Sequence, residues 1–305
     1  MSSEVRSVEG ARVLVTGGSG LIGRAVVAAL VTERARVIVL DTVEPEAGVF
    51  LAGDVCDPGD TSAAMRDVDL VIHLAGIPGL GFETALETYR VNTIGTYAVL
   101  SAAAEARVAK VVYASSINAA GWPLNPADAY PPTYPFDEDS APAIGDWYSL
   151  SKRANEDAAA MLASRTQTRF TGLRYPLVRD IVSDPARFGR HLAELMATDP
   201  ARAAKEGWSY LDASDAARAT VAAVTHDTPA LPGILVAAPL TYLSTPTDEA
   251  LSFSAPGTPR SPVAGTAVPI DLTRSRNLLG FEARVVLQDV APEVLVRVGR
   301  EVGRG

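Results

Sequence analysis

Short apolar runs alternate with longer mixed segments along the first half of the chain. Residues 13–16, 37–41, 70–75 and 111–115 are near-continuous apolar runs of strand length. Residues 21–31, 62–67, 84–106 and 148–163 lie between or after them and read as helices. Strands that are apolar throughout, rather than at alternate positions, are buried on both faces. Separated by helices, they predict a parallel sheet covered on both sides. The expected fold is α/β, a doubly wound Rossmann sheet that binds ligands at the carboxyl ends of its strands. The second half is less regular. A strand is expected at 169–173, ending at Pro176, and another at 208–211. Ser183 is expected to cap a helix reaching Met196, with Phe188, Leu192 and Leu195 on its apolar face. Ser214 is expected to cap a helix over 215–225. Prolines 232, 239, 246, 256, 259, 262 and 269 indicate loops and short edge elements. The layout predicted is a nucleotide-binding core over 1–175. Residues 176–305 are a mixed region that finishes the core and forms a small substrate cap.

The first apolar run ends in Thr16-Gly17-Gly18-Ser19-Gly20-Leu21-Ile22-Gly23. Glycines 18, 20 and 23 fit one dinucleotide-binding spacing, and glycines 17, 20 and 23 fit another. Either way, missing side chains let backbone N–H groups approach a pyrophosphate, and the helix N-terminus adds a favourable dipole. Asp41 closes the next strand, close to the expected spacing for an acid on the adenosine ribose. A carboxylate accepts from the ribose 2′-hydroxyl and repels a 2′-phosphate. Thr42 and Val43 follow, with no adjacent arginine. NAD is therefore the expected cofactor rather than its phosphorylated form.

Composition narrows the remaining classes. With 48% apolar and 21% charged residues over 305 positions, the chain can bury a sizeable core and is neither disordered nor a disulfide scaffold. The formal charge of −9 argues against a nucleic-acid partner, because no basic surplus is available for phosphates. No apolar stretch reaches the roughly 18 residues of a membrane helix, so no membrane partner is expected. Residues 1–12 lack an apolar core ahead of the first strand, which argues against a signal peptide. A single cysteine, Cys56, fits a reducing cytoplasm. His73 is expected to pack rather than bind metal. His191 and His226 lack partners at ligand spacing, so no metal site is expected.

Tyr148 and Lys152 stand four residues apart on one predicted helix face. An ammonium beside the phenol favours the phenolate, which can then take the proton of a substrate hydroxyl. Ser116, just past the strand 111–115, stands at the correct end of the sheet to hold the reacting oxygen. Together with the glycine loop, Asp54-Val55, His73-Leu74-Ala75-Gly76, Asn92 and Ser115-Ser116, this pattern resembles the extended short-chain dehydrogenase/reductases. That group includes nucleotide-sugar epimerases and dehydratases. The resemblance implies Ser116, Tyr148 and Lys152 as the catalytic set. It places Gly17, Gly20, Leu21, Ile22, Gly23 and Asp41 on the cofactor. It further implies that Asp54 and Val55 meet the adenine and that Leu74, Ala75 and Gly76 line the cofactor. Lys152 would hold the nicotinamide ribose, Asn92 would serve as a structural and relay asparagine, and Tyr175 and Pro176 would flank the nicotinamide. It also implies a homodimer built on the helices 84–106 and 148–163, with alanines 98, 102, 103, 104, 158, 159 and 160 permitting close approach.

The sequence departs from nucleotide-sugar members after Leu173-Arg174-Tyr175, where Pro176-Leu177-Val178-Arg179-Asp180 replaces their Asn-Val-Tyr-Gly-Pro-like run. Ser116-Ile117-Asn118 stands where dehydratases place Thr-Asp-Glu, which argues against dehydration. Leu74 to Ile77, and Ser115-Ser116 leading to Gly121-Trp122-Pro123, are similar to uronate dehydrogenases. Ile77, Ser116, Asn118, Tyr148 and Arg187 are thus the expected substrate contacts, with Arg190, Arg202 and Lys205 as further candidate cations for a carboxylate. The expected activity is NAD-dependent oxidoreduction of a sugar, sugar acid or related polyol, a small hydroxylated molecule. The alternatives are an epimerase working through a transient ketone and a non-catalytic NAD-sensing regulator.

Overall fold

A computed structural model describes residues 7–299. Residues 1–6, on which part of the signal-peptide expectation rests, lie outside the described residues. Seven parallel strands form the main sheet: β1 (Arg12–Thr16), β2 (Arg36–Asp41), β3 (Val49–Ala52), β4 (Leu70–His73), β5 (Lys110–Ser116), β6 (Arg169–Tyr175) and β9 (Leu231–Leu235). Their order is β3-β2-β1-β4-β5-β6-β9. The order reverses between β1 and β4, which opens a crevice at the strands' carboxyl ends. A second, two-stranded sheet pairs β7 (Leu177–Arg179) with β8 (Tyr210–Asp212).

The helices cover both faces. They are α1 (Leu21–Thr32), α2 (Pro58–Ala64), α3 (Ala85–Arg90), α4 (Thr96–Glu105), α5 (Trp147–Ala163), α6 (Pro185–Thr198), α7 (Pro200–Lys205) and α8 (Ala213–Thr225). One apolar cluster joins the inner face of α1 to α8 and to the cap, through Val26, Leu30, Ala216 and Val224. A second lies under α4 and α5, around Val99, Leu100 and Phe170. After Tyr175 the chain leaves the sheet, builds β7 to β8, and returns through α8 and β9. Residues after β9 add α9 (Thr247–Ser254), which packs on α7, and α10 (Thr273–Leu279), which packs on β9 and α8.

Several expected elements differ in detail. The helix expected over 84–106 is interrupted by a π-helical stretch, Val91–Gly95. The helix expected over 62–67 begins at Pro58, because the Asp57 carboxylate caps the Gly59 and Asp60 N–H groups. Asp184 caps α6 in place of Ser183, and Asp212 caps α8 in place of Ser214. Asp184 directly follows Ser183, and Asp212 stands two residues ahead of Ser214. Strands β3 and β9 were not expected. β3 is four residues long and half-exposed, and β9 carries Pro232; each forms an edge of the sheet, where such sequences are tolerated.

Candidate active site

The glycine loop resolves into separate duties. Gly17 has φ of +71°, and a Cβ there would stand 2.5 Å from the Ala75 nitrogen. Gly23 packs the first turn of α1 against the loop; its Cβ would stand 2.0 Å from the Gly17 oxygen. Gly18 faces inward, where a Cβ would meet Val39 at 2.5 Å. Gly20 is the open member, with only the Gly17 oxygen nearby at 3.3 Å. The spacing that matters for a ligand is therefore glycines 17, 20 and 23, while Gly18 serves packing. No side chain caps α1, and no acid stands in its first turn. The open N–H groups at Leu21, Ile22 and Gly23 are of the kind that can receive an anion such as a pyrophosphate.

Asp41 ends β2 beside this loop. Its carboxylate accepts from the Ser19 N–H at 2.9 Å and the Val43 N–H at 3.1 Å. Carboxylate oxygens hold more lone pairs than these two bonds use, so ribose hydroxyls can still be received. Asp54 is exposed and accepts from the Cys56 N–H, with Val55 buried beside it. Leu74 and Ala75 are half-buried at the end of β4, and Gly76 is exposed. This combination of an uncapped helix, an acid at the β2 end and a lined crevice fits an adenine dinucleotide.

Asn92 sits in the π-helical stretch and is 1% exposed. Its side-chain oxygen accepts from the Ile77 N–H at 2.7 Å; its amide donates to the Ile77 carbonyl at 3.0 Å and to Ser151 Oγ at 3.2 Å. It ties the loop after β4 to α5, so its amide is committed to the scaffold. His73 lies between Thr16 Oγ1 at 2.7 Å and Thr96 Oγ1 at 2.9 Å. Burial, with the nearby Lys152 charge, pushes its pKa down to about 3, so it is neutral. Among the described residues no cluster of metal-ligating side chains occurs.

Asp146 caps α5 by accepting from the Ser149 N–H at 2.8 Å and so sets the start of the helix carrying Tyr148 and Lys152. The Lys152 ammonium stands 5.7 Å from the Tyr148 ring centroid and donates to the Ala114 carbonyl at 3.0 Å. Burial pulls the Lys152 pKa down to about 8, against the pull of Glu156. Burial also pushes Tyr148 up to about 12, while hydrogen bonding with Ser116 and the charge of Arg202 act in the opposite sense. A phenol lowered by its lysine was expected. In the protein alone the loss of solvent wins over the charges present. Ser116 ends β5 and its Oγ accepts from the Asn118 N–H at 3.1 Å and side-chain amide at 3.2 Å. The Asn118 side-chain oxygen is buried without a hydrogen bond.

Around Tyr148 lie Arg202, one of the cations expected from the sequence, and residues that the sequence does not single out, Glu206 and Tyr242. Arg202 Nε donates to Glu206 Oε1 at 2.9 Å, and both lie close enough to Tyr148 to influence its ionisation. The same pair acts on Tyr242, whose hydroxyl is buried with no hydrogen bond among the described residues. Trp208 is fully buried at φ of +48°, a strained setting for a large side chain, and its indole N–H also lacks a partner. Arg179 donates to His191 Nε2 at 3.3 Å and lies near Arg187 and Arg202. Of these, Arg187 and Arg202 are among the cations expected from the sequence, Trp208 opens an expected strand and Arg179 stands in the departure after Tyr175, whereas Glu206 and Tyr242 carry no sequence signal.

Other expected contacts are placed differently. The Lys205 ammonium is buried and donates to the Asn125 and Ala127 carbonyls at 3.2 and 3.1 Å. Arg187 and Arg190 are exposed. The Tyr175 ring turns into the core, with its hydroxyl 2.6 Å from Thr220 Oγ1, so the main chain there and Pro176 are what can face the crevice.

A family model, "NAD dependent epimerase/dehydratase family", matches residues 13–238. UDP-glucose 4-epimerase of Halalkalibacterium halodurans is 34% identical over 140 residues, 41% of this chain and 42% of that protein. Human dTDP-D-glucose 4,6-dehydratase is 31% identical over 164 residues, 48% of this chain and 45% of that protein. The matched stretch therefore spans less than half the length of either curated relative. A short-chain dehydrogenase/reductase superfamily protein from Agrobacterium tumefaciens, solved with bound NAD, superposes with a TM-score of 0.71 at 22% identity. That match covers 93% of this chain and 96% of the other, and it shows the shared fold. With the family match spanning most of the chain and the glycine loop intact, the chain belongs to the NAD dependent epimerase/dehydratase family.

Proposed function

We propose that the protein is an NAD-dependent oxidoreductase of a secondary hydroxyl or carbonyl on a sugar, sugar acid or related polyol. The observation that carries this is the convergence of Ser116, Tyr148 and Lys152 at the carboxyl end of the sheet, beside the uncapped glycine loop. When bound, NAD supplies the hydride acceptor or donor. The Gly17 to Gly23 loop and Asp41 would hold it, and Lys152 would reach its ribose. Ser116 and Tyr148 hold the reacting oxygen. Tyr148 takes the hydroxyl proton in oxidation and returns it in reduction, with the Lys152 ammonium favouring its phenolate. Asn118, Tyr242 and the Arg202–Glu206 pair offer donors and acceptors to the remaining hydroxyls or to a carboxylate. A screen of uronic acids, aldoses and nucleotide sugars with NAD, read by NADH fluorescence, tests this. NADH accumulating in proportion to substrate supports it. Conversion of a nucleotide sugar without net NADH would replace it by epimerisation, the reading favoured by the epimerase relative.

The protein is further proposed to act as a homodimer in the cytoplasm. Leu86, Ile94 and Tyr97 on one side, and Trp147, Leu150 and Met161 on α5, are apolar and exposed. Ala98, Ala104, Ala158 and Ala160 remain at least partly accessible, whereas Ala102, Ala103 and Ala159 are buried within this chain's own core. Sedimentation as a monomer at micromolar concentration would remove the dimer. Among the described residues no helix is long and apolar enough to cross a membrane.

A further inference from the structure

Lys152 and Glu156 lie one turn apart on α5, and both are buried. The Glu156 carboxylate is held by two neighbouring strands. Its Oε1 accepts from Ser115 Oγ at 2.6 Å and from Arg174 Nε at 2.8 Å; its Oε2 accepts from Arg174 Nη2 at 2.7 Å. Ser115 precedes Ser116 at the end of β5. Arg174 precedes Tyr175 and Pro176 at the end of β6. A third strand closes the arrangement: a Cβ on Gly233 of β9 would stand 2.6 Å from Arg174 Nε and 2.7 Å from Glu156 Oε1.

We propose that Glu156 is a positioning residue, whose carboxylate clamps the ends of β5 and β6 to α5 and is the buried counter-charge of the Lys152 ammonium. The proposal rests on the reading of Tyr148 and Lys152 as the reacting pair. The charged and titratable groups around Glu156 are Arg174 on β6, Tyr113 on β5, Glu138 ahead of α5, and Lys152 and Asp157 on α5 itself. His73 on β4 faces Lys152 and is neutral. Glu138 has its own calls on it, from the Leu235 N–H at 2.9 Å and Arg274 at 3.7 Å. Arg174 thus pairs with the Glu156 carboxylate directly, while Lys152, one turn back on the same helix and bonded to the Ala114 carbonyl, feels the same buried charge without touching it. An ion pair that served folding alone would involve Arg174 and be indifferent to Lys152. Instead, burial draws the lysine down and Glu156 holds it up, which keeps it charged at neutral pH.

The test reads Lys152 directly. The chain has three lysines, Lys110, Lys152 and Lys205, so the full-length protein labelled with 13C-lysine gives a spectrum simple enough to titrate. Lys152→Arg assigns the signal. The wild-type midpoint is expected at about 8. In Glu156→Gln it is expected to fall by about one pH unit or more. In Arg174→Gln, which breaks the same ion pair but leaves the carboxylate to Lys152, it is expected to hold or rise. Because Glu156→Gln leaves Arg174 buried without its partner, the double variant E156Q/R174Q provides a folded companion, and its Lys152 midpoint should also be low. An unchanged midpoint in E156Q and in the double variant would overturn the proposal. So would an equal fall in R174Q, which would mean loosened packing. If the wild type yields no NADH from any substrate while Lys152 behaves as expected, the oxidoreductase reading fails and the positioning role stands.

Discussion

The cofactor side and the cap side of the crevice are built on different principles. On the glycine-loop side the crevice is lined by main chain: the open N-terminus of α1 and a loop in which a Cβ at Gly17 or Gly23 would clash with neighbouring backbone, while Gly20 stays open. Across the crevice stand side chains instead. Arg202 and Glu206 are one turn apart on α7 and its end, and Arg179, Trp208 and Tyr242 are brought beside them from other stretches by packing. A main-chain site tolerates little variation and accepts one kind of ligand. A side-chain site can be rewritten residue by residue on the same scaffold.

Substitutions at the seam and on either side sharpen this contrast. Tyr148→Phe at the seam should give the largest effect. Loss of the proton acceptor is expected to slow turnover by about 10²- to 10⁴-fold while NAD affinity, read by fluorescence titration, stays within about twofold. On the cofactor side, Gly23→Ala forces a Cβ to 2.0 Å from the Gly17 oxygen. The loop must shift, at a cost of about 1–3 kcal/mol, and NAD affinity should fall about tenfold or more. Denaturant melts and NAD titrations should report both losses.

On the cap side, Tyr242→Phe removes a buried hydroxyl that the fold leaves without a partner. Stability should hold or rise slightly. If the hydroxyl serves a substrate, KM should rise about fivefold, the worth of roughly one hydrogen bond, with NAD affinity unchanged. A loss of stability with unchanged KM would erase the contrast between the two sides.

His73 gives the smallest effect per step of pH. Its folded pKa of about 3 lies below the ordinary 6.5, so between those values the unfolded chain binds a proton that the folded chain does not. Stability present above pH 6.5 is therefore lost as pH falls through this window, by about 1.4 kcal/mol per pH unit at most. His73→Gln should flatten the slope measured by urea melts between pH 6.5 and 4.

The same division explains how much could be read from sequence. The glycine loop, Asp41 and the Tyr148/Lys152 spacing were legible because each is a local requirement: a positive φ at Gly17, a strand end, a helical repeat. Near α6 and α8, serine and aspartate stand within two residues of each other and cap helices about equally well, so sequence alone does not decide between Ser183 and Asp184 or between Ser214 and Asp212; the structure selects the aspartates. Strand β9 was hidden by Pro232, which is compatible with an edge. Tyr242 carried no signal at all. Nothing near it in the sequence indicates that it packs beside Arg202 and Glu206, since that neighbourhood is made by tertiary folding. The burden on Tyr148 was misjudged for a related reason: the sequence shows the lysine one turn away but not how completely the pair is withdrawn from water.

The π-helical stretch between α3 and α4 has a consequence for phase. A π turn takes up about one residue more than an α turn, so the rod emerges from it rotated by about 100° relative to an unbroken helix. Before and within the stretch, Thr88 is buried and Asn92 points inward to the loop after β4; beyond it, Val99, Leu100 and Ala103 point inward toward the sheet. Deleting one residue from 91–95 would restore a regular helix, yet its two halves could no longer both face inward. The surplus residue acts as a gearing between two layers, allowing one continuous rod to answer to the crevice at one end and to the core at the other.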